Sequence, residues 1–345
     1  MRGIFFVMGC SLNIGKDLRC AVIGHGSWAT AIVKVLTMNK LSVDWYVRNA
    51  EVLESLRHEG RNCRYLPEVE FDTSLIRLSD DVNKTVDGAD VVVLVTPAAY
   101  LKSSFSDLRV SLQDKFVVSA IKGIIPDENM FVTDYLKKVY GLSGAQLCFV
   151  SGPTHAEEVG HGKLTYLTLA SANVGKARAF GEKLQTPFLK VNYVRGMCYL
   201  ERAAVMKNIY AIMVGMAVGL GYGDNFISVL VSNCIKEMFF LLDPKSVTDL
   251  TKFNPSNFFG DLLVSCYSSH SRNRQLGLLI GRGNTVKTAL NEMTMVAEGY
   301  YASAMMSRLP DETRAQLPIA ETAYQVLHQD LPVRKAMKAL ESLLS

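Results

Sequence analysis

The chain has 345 residues, 49% of them apolar and 20% charged, with a net charge of +4. That length exceeds one ordinary core and suits two domains, and the composition excludes disorder over any large part of the chain. So small a net charge favours at most a local anion site and is not the footprint of a nucleic-acid binder.

Met1 to Asp17 holds a short apolar run, Gly3 to Cys10. The run is shorter than a membrane span and lacks the basic start and cleavage site of a signal peptide, so residues 1–17 are expected to form an extension before the first strand. Arg19 to Ile23 reads as a buried strand, and Thr30 to Lys40 carries Ala31, Ile32, Val35 and Leu36 at helical spacing. Ser42 to Val47 reads as a second strand and Val52 to Glu59 as a helix closed by Gly60. Ala89 to Pro97 is a β-branched strand stopped by proline, and Lys115 to Ala120, Gln146 to Val150, Tyr166 to Ser171 and Leu189 to Tyr193 complete the sheet. Alternation of this kind is the rhythm of βαβ units and a parallel sheet. After Tyr193 the periods become helical, over Tyr199 to Val218, Asn225 to Leu242 and Thr288 to Arg308, which places a boundary near residue 193. None of these segments reads as a bilayer span, and a cytoplasmic protein is expected.

Seven cysteines, none spaced C-x-x-C, and six histidines show neither a disulfide framework nor a metal pattern. His155 and His161 beside Glu157 and Glu158 lack the H-E-x-x-H spacing, so no metal is expected. Gly24-His25-Gly26-Ser27-Trp28-Ala29, between the first strand and the first helix, is the G-x-G-x-x-A form of the dinucleotide fingerprint. Gly24 permits the tight turn, Gly26 lets a pyrophosphate approach the backbone, and Ala29 keeps helix and strand close. The helix start offers free N–H groups and a positive dipole to the phosphates. No acidic residue ends the second strand, and Asp44 is expected to point away inside it. Arg48, which follows, suits adenine or a 2′-phosphate as well as it suits a plain surface position, so NADP is permitted beside NAD.

Two lysines stand in unusual surroundings. Lys122 follows a strand at the edge where open α/β sheets bind ligands. Lys207 lies on a helix with Ala211 and Gly215 on its face, which lets a ligand or another backbone come close. Gly260-Asp261-Leu262 and Ser271-Arg272-Asn273-Arg274 follow, and arginine beside serine and asparagine offers the donors that a phosphate needs.

Taken in order, Gly24-x-Gly26-Ser27-Trp28, Asn62-x-x-Tyr65-Leu66-Pro67, Lys122-Gly123-Ile124, Ser151-Gly152-Pro153, Ala156-x-Glu158-Val159, Lys207-Asn208, Gly219 to Asn225, Gly260-Asp261-Leu262 and Ser271 to Arg274 resemble bacterial NAD(P)-dependent sn-glycerol-3-phosphate dehydrogenases over residues 19 to 340. The resemblance implies an α/β fold: a Rossmann-type doubly wound dinucleotide-binding domain over 18–193, then an all-α substrate-binding domain over 194–345, paired as a homodimer. It implies reduction of dihydroxyacetone phosphate to sn-glycerol 3-phosphate, for glycerophospholipid synthesis, without nucleic acid or membrane insertion. By the same resemblance Lys207 is the catalytic lysine, Lys122 assists it and Asp261 holds it, while Ser265, Arg272 and Asn273 meet the substrate phosphate. Gly24, Gly26, Ser27, Trp28, Ala29, Arg48, Pro97, Ala156, Arg272 and Glu298 are implied at the cofactor. Departures from the family pattern are Ala29 for glycine, His155 for an aromatic residue, Ser265 for threonine, and Asn254 to Phe259 in place of a glycine-rich lead. The rival readings are a related lysine-using hydroxy-acid dehydrogenase and a nucleotide-sensing protein without turnover.

Overall fold

The computed structural model of the chain describes residues 18–242 and 256–345, so the extension expected over 1–17 and the start of the altered 254–259 loop lie outside the described residues. The first half runs β1 (Cys20–Ile23), α1 (Ser27–Met38), β2 (Val43–Tyr46), α2 (Ala50–Glu59), β3 (Ile76–Ser79), α3 (Val82–Val86), β4 (Val91–Leu94), α4 (Ala98–Ser104) and β5 (Phe116–Ser119). A hairpin of β6 (Ile124–Ile125) and β7 (Met130–Phe131) leads to α5 (Val132–Tyr140) and β8 (Leu147–Ser151). Then come α6 (Ala156–Gly160), β9 (Thr165–Ser171), α7 (Val174–Glu182) and β10 (Leu189–Val194).

Eight strands form one sheet in the order β10-β9-β8-β5-β4-β1-β2-β3. β1, β4 and β5 are buried along their whole length, which is why they read as unbroken apolar runs. One face of the sheet packs on α1 and α7, the other on α3, α4, α5 and the helix that follows β10. The chain winds away on either side of the β1–β4 crevice, the switch point at which such sheets bind ligands.

Two features differ from the expected parallel sheet. β9 pairs antiparallel to β8, and β10 runs parallel to β9, so the last two strands oppose the other six. The β8–β9 connection carries a single five-residue helix, α6, too short to return the chain along the sheet. β3 was not expected at all. It is an edge strand whose Arg77 faces solvent, and its partly exposed residues lack the apolar signature of the centre. Its Arg77 holds buried Asp44 by two hydrogen bonds of 2.6 and 2.9 Å, which takes Asp44 away from any ligand.

No strand follows Val194 among the described residues. They run through α8 (Met197–Leu220), α9 (Asp224–Leu242), a π-helical turn at Ser256–Gly260, α10 (Asp261–Tyr267), α11 (Arg272–Gly281), α12 (Val286–Glu292) and α13 (Glu298–Ser303). A 3-10 turn at Ala304–Arg308, α14 (Asp311–Arg314), α15 (Pro318–His328) and α16 (Val333–Glu341) follow. α8 is apolar on every side and forms the axis of this half. Contrary to the sequence reading it is long and apolar enough to cross a bilayer, but 83% of its most apolar stretch is buried inside the protein. The bare face that carries Gly215 receives a backbone and not a ligand. A Cβ at Gly215 would overlap the Arg274 carbonyl of α11, and one at Gly277 would overlap the Ile212 carbonyl of α8. The helix expected over Thr288 to Arg308 is interrupted, because Met293 to Ala297 leave it to line the cleft described next. Tertiary contact here overrides helical periodicity.

Candidate active site

The strand ends place the fingerprint at the crevice. Gly24 has φ +124° and lies so close to β4 that a Cβ would stand 2.9 Å from the Val95 carbonyl oxygen. Its own carbonyl accepts the indole N–H of fully buried Trp45 at 2.6 Å, which fixes the turn. Gly26 is different: a Cβ there would meet nothing, because the space beyond it is open. α1 begins at that point without a side-chain cap, so its first N–H groups remain available to an anion. A cleft of about 510 Å³ extends from this turn past Arg48, Tyr65, Pro97, Tyr100 and Arg272 to Met293 and Ala297. Arg48 reaches Ser103 Oγ at 3.1 Å and lies 6.0 Å from the Tyr100 ring centre. Burial, then the Arg48 and Arg64 guanidinium groups, hold His25 below the usual imidazole range.

A second recess of about 220 Å³ adjoins the cleft and shares Gly26, Ser27, Pro97 and Arg272 with it. Lys122, from the end of β5, and Lys207, from the middle of α8, meet in its wall around Asp261, the first residue of α10. Lys207 Nζ lies 2.7 Å from Asp261 Oδ1 and donates to Ser265 Oγ at 2.7 Å. Lys122 Nζ donates to Asp261 Oδ2 at 3.0 Å and to the Gly152 carbonyl at 3.1 Å. Each ammonium therefore keeps a third N–H for a ligand. Burial pushes the Lys122 ammonium down to about 8, against the pull of Asp261 and with the help of Lys207. Asp261 is buried too, but the two ammonium groups outweigh that burial and hold its carboxyl below the usual range.

Arg272 and Asn273 open α11 behind the Ser271 cap. Arg272 reaches across to Ser27 Oγ at 3.0 Å, tying the recess to the fingerprint turn. Asn273 accepts the Gly299 N–H at 2.9 Å through Oδ1, which leaves its amide NH₂ as a donor. Glu298 accepts the Ala98 N–H at 2.8 Å, and its other oxygen is buried without a hydrogen-bond partner among the described residues. Burial raises this carboxyl to about 7, although the Ala98 N–H and Arg272 oppose the rise. The free oxygen presses so closely on Gly123 that no side chain fits there.

The pattern described as the N-terminus of NAD-dependent glycerol-3-phosphate dehydrogenase matches residues 19–177, and its C-terminus matches residues 198–338. The chain belongs to the NAD-dependent glycerol-3-phosphate dehydrogenase family. The glycerol-3-phosphate dehydrogenase (NAD(P)+) of Chlorobium phaeobacteroides (strain BS1) is 32% identical over 327 residues, covering 93% of this chain and 96% of that one. Its counterpart from Syntrophomonas wolfei is 31% identical, covering 94% of each chain. The crystal structure of glycerol-3-phosphate dehydrogenase from Coxiella burnetii superposes with a TM-score of 0.83 at 25% identity, over 94% of this chain and 98% of that one. D-mandelate dehydrogenase with NADH, at 14% identity and a TM-score of 0.57, shares the fold alone.

Against this family background the residues expected from sequence fall into three groups. Gly24, Gly26, Ser27, Arg48, Pro97 and Arg272 line the larger cleft, and Trp28, Lys122, Ala156, Lys207, Asn273 and Glu298 line the smaller recess. Ala29 packs in the core and Asp261 lies beneath the lysines, so both act through their neighbours. Ser265, expected at the substrate phosphate, lines the smaller recess as well. It receives the Lys207 ammonium, and its one proton goes to the Asp261 carbonyl at 2.8 Å, so its hydroxyl supports the lysine. Other residues of the site had no role assigned from sequence. Asn208, next to Lys207, donates to the Lys122 carbonyl at 2.7 Å and joins α8 to the end of β5. Asn62 holds the Tyr65 loop to the fingerprint turn by bonds of 2.9 Å to the His25 carbonyl and to Thr30 Oγ1. Thr96, Met295 and Val296 carry no chemical signature, and only their position in the cleft distinguishes them. His155 lines the recess; burial and then Lys207 hold its imidazole below the usual range, and so neutral.

Proposed function

We propose that this chain reduces dihydroxyacetone phosphate to sn-glycerol 3-phosphate with NADH or NADPH, and that the product serves glycerophospholipid synthesis. The observation that carries the proposal is a pair of buried ammonium groups sharing one carboxylate, in a recess that also holds Arg272 and Asn273. The larger cleft suits the dinucleotide, with open space at Gly26 and free N–H groups at the start of α1, and Glu298 in the adjoining recess keeps one oxygen without a hydrogen-bond partner among the described residues. When bound there, the reduced nicotinamide supplies the hydride that C2 of the ketone receives.

The chain's own residues do the rest. Arg272 and the Asn273 amide hold the substrate phosphate with charge-assisted bonds, which fixes C2 near the lysines and removes the entropic cost of the encounter. Lys207 and Lys122 direct their remaining N–H groups at the C2 oxygen. Negative charge grows on that oxygen as the hydride adds, and the ammonium groups stabilise it. One ammonium then gives its proton to the alkoxide, which completes the alcohol and leaves a neutral amine to be reprotonated. Asp261 and Ser265 keep Lys207 in place throughout. A sensor without turnover has no use for two buried cations with free N–H groups. Arg48, with no acid at the end of β2, permits NADPH beside NADH. A cytoplasmic homodimer accords with the resemblance.

The test is the loss of reduced-nicotinamide absorbance with dihydroxyacetone phosphate, for NADH and NADPH, against unphosphorylated dihydroxyacetone. Turnover confined to the phosphorylated ketone, and abolished in Lys207→Ala with cofactor binding retained, is the expected result. Full activity of Lys207→Ala would remove that lysine from the chemistry.

A further inference from the structure

The residues that lead into Asp261 depart from the glycine-rich stretch of the family pattern, and Ser256–Gly260 form a π turn directly ahead of α10. A π turn holds one residue more than an α turn and so re-aims the side chain that follows it. Asn257, within this turn and four residues before Asp261, is buried and accepts a hydrogen bond from the Thr168 hydroxyl of β9. Thr168 stands opposite Ser151 in the antiparallel β8–β9 ladder. The residue after Ser151 is Gly152, whose carbonyl receives Lys122 Nζ at 3.1 Å, and the other acceptor of that ammonium is Asp261 at 3.0 Å. The Thr168–Asn257 bond thus closes a ring through both acceptors of Lys122.

We propose that Asn257, through Thr168, is a positioning residue that sets the separation of Gly152 and Asp261 and so aims the free N–H of Lys122. The kinetic consequence rests on the dehydrogenase reading above; the effect on Lys122 itself does not. The cluster has no spare bond to compensate a loss, because Asn257 Nδ2 and Ser151 Oγ are already buried without a hydrogen-bond partner among the described residues. Breaking the remaining bond orphans the Asn257 oxygen as well and frees the π turn to relax, taking Asp261 with it.

Thr168→Val removes the hydroxyl at nearly constant shape, Thr168→Ser keeps it, and Asn257→Ala removes the acceptor. The first readout uses no turnover: trace acetic anhydride on the full-length chain, with acetylation of Lys122 read by peptide mass spectrometry against exposed lysines. Thr168→Val and Asn257→Ala should raise Lys122 labelling about fivefold, because an ammonium that loses its carboxylate is more often neutral and more accessible. Thr168→Ser should label like the parent. The second readout is kinetic: kcat should fall about tenfold or more in Thr168→Val while KM for dihydroxyacetone phosphate holds, since the phosphate donors are untouched. Lys122 labelling unchanged in both Thr168→Val and Asn257→Ala overturns the proposal, whatever kcat does, and so does a loss in Thr168→Ser equal to that in Thr168→Val. A parent chain without turnover would sink the dehydrogenase reading instead, and the labelling would still decide the role of Asn257.

Discussion

Asp261→Asn keeps the shape of the side chain and deletes the charge that lies 2.7 Å from Lys207 Nζ and 3.0 Å from Lys122 Nζ. Lys122 already stands at about 8, because burial pushes it down further than Asp261 holds it up. Breaking a buried ion pair costs about 3–5 kcal/mol. Two lysines share this carboxylate, so about half of that cost falls on Lys122. At roughly 1.4 kcal/mol per pKa unit, the substitution takes Lys122 to between about 6 and 7. Reduction needs the ammonium, so activity lies on the acid side of this titration and is lost as pH rises through it. Near pH 8 the variant should hold about tenfold less of the ammonium form than the parent, before any loss of alignment is added. The assay is kcat for ketone reduction from about pH 6 to about pH 9, with cofactor affinity measured separately. The alkaline limb should move toward acid by about one to two pH units. A variant that keeps kcat within about twofold across this range, with its alkaline limb unmoved, would refute the claim that Asp261 sustains the lysine charges.

Three further outcomes follow from the geometry. Arg272→Ala should raise KM for dihydroxyacetone phosphate about thirtyfold or more, the worth of a charge-assisted bond; an unaltered KM would take Arg272 out of the phosphate site. Gly277→Ala drives a methyl group into the Ile212 carbonyl across the α8–α11 contact and should cost about 2 kcal/mol or more in denaturant titrations; a wild-type midpoint would mean that the helices are not so close. Buried Glu237, which accepts the Ile319 and Ala320 N–H groups, is raised from 4.5 to about 7 by burial, against the pull of those bonds. The folded state therefore binds this proton more tightly than the unfolded one, and stability falls by about 3 kcal/mol as pH rises from 4.5 to 7. Unfolding free energies at the two ends of this window should show that slope in the parent and a flatter one in Glu237→Gln, and identical slopes would contradict it.

Much of the site is written locally. The fingerprint needs only a strand, a turn that a Cβ would block at Gly24, and a helix start, all within a dozen residues, so residue type and spacing suffice to place it. The buried strands β1, β4 and β5 are equally plain, because a strand covered on both faces must be apolar at every position. The lysines stood out by their surroundings, and the family likeness named their partner. Other features depend on residues far apart in the chain. Lys122 and Asp261 are 139 positions apart and Arg272 and Ser27 are 245 apart, distances over which periodicity carries no information. The edge strand β3 and the reversal at β9 escape a local reading because pairing direction is set by the length of a connection and by the neighbours it meets. Ser265 shows the same limit: its hydroxyl is visible in the sequence, but only the fold gives its proton to the Asp261 carbonyl and its oxygen to Lys207. The sequence by itself determined which chemical groups are present and the glycine turn proposed to receive a dinucleotide. The tertiary structure decided which groups share a hydrogen bond, because that choice depends on burial and distance between segments that the chain order keeps apart.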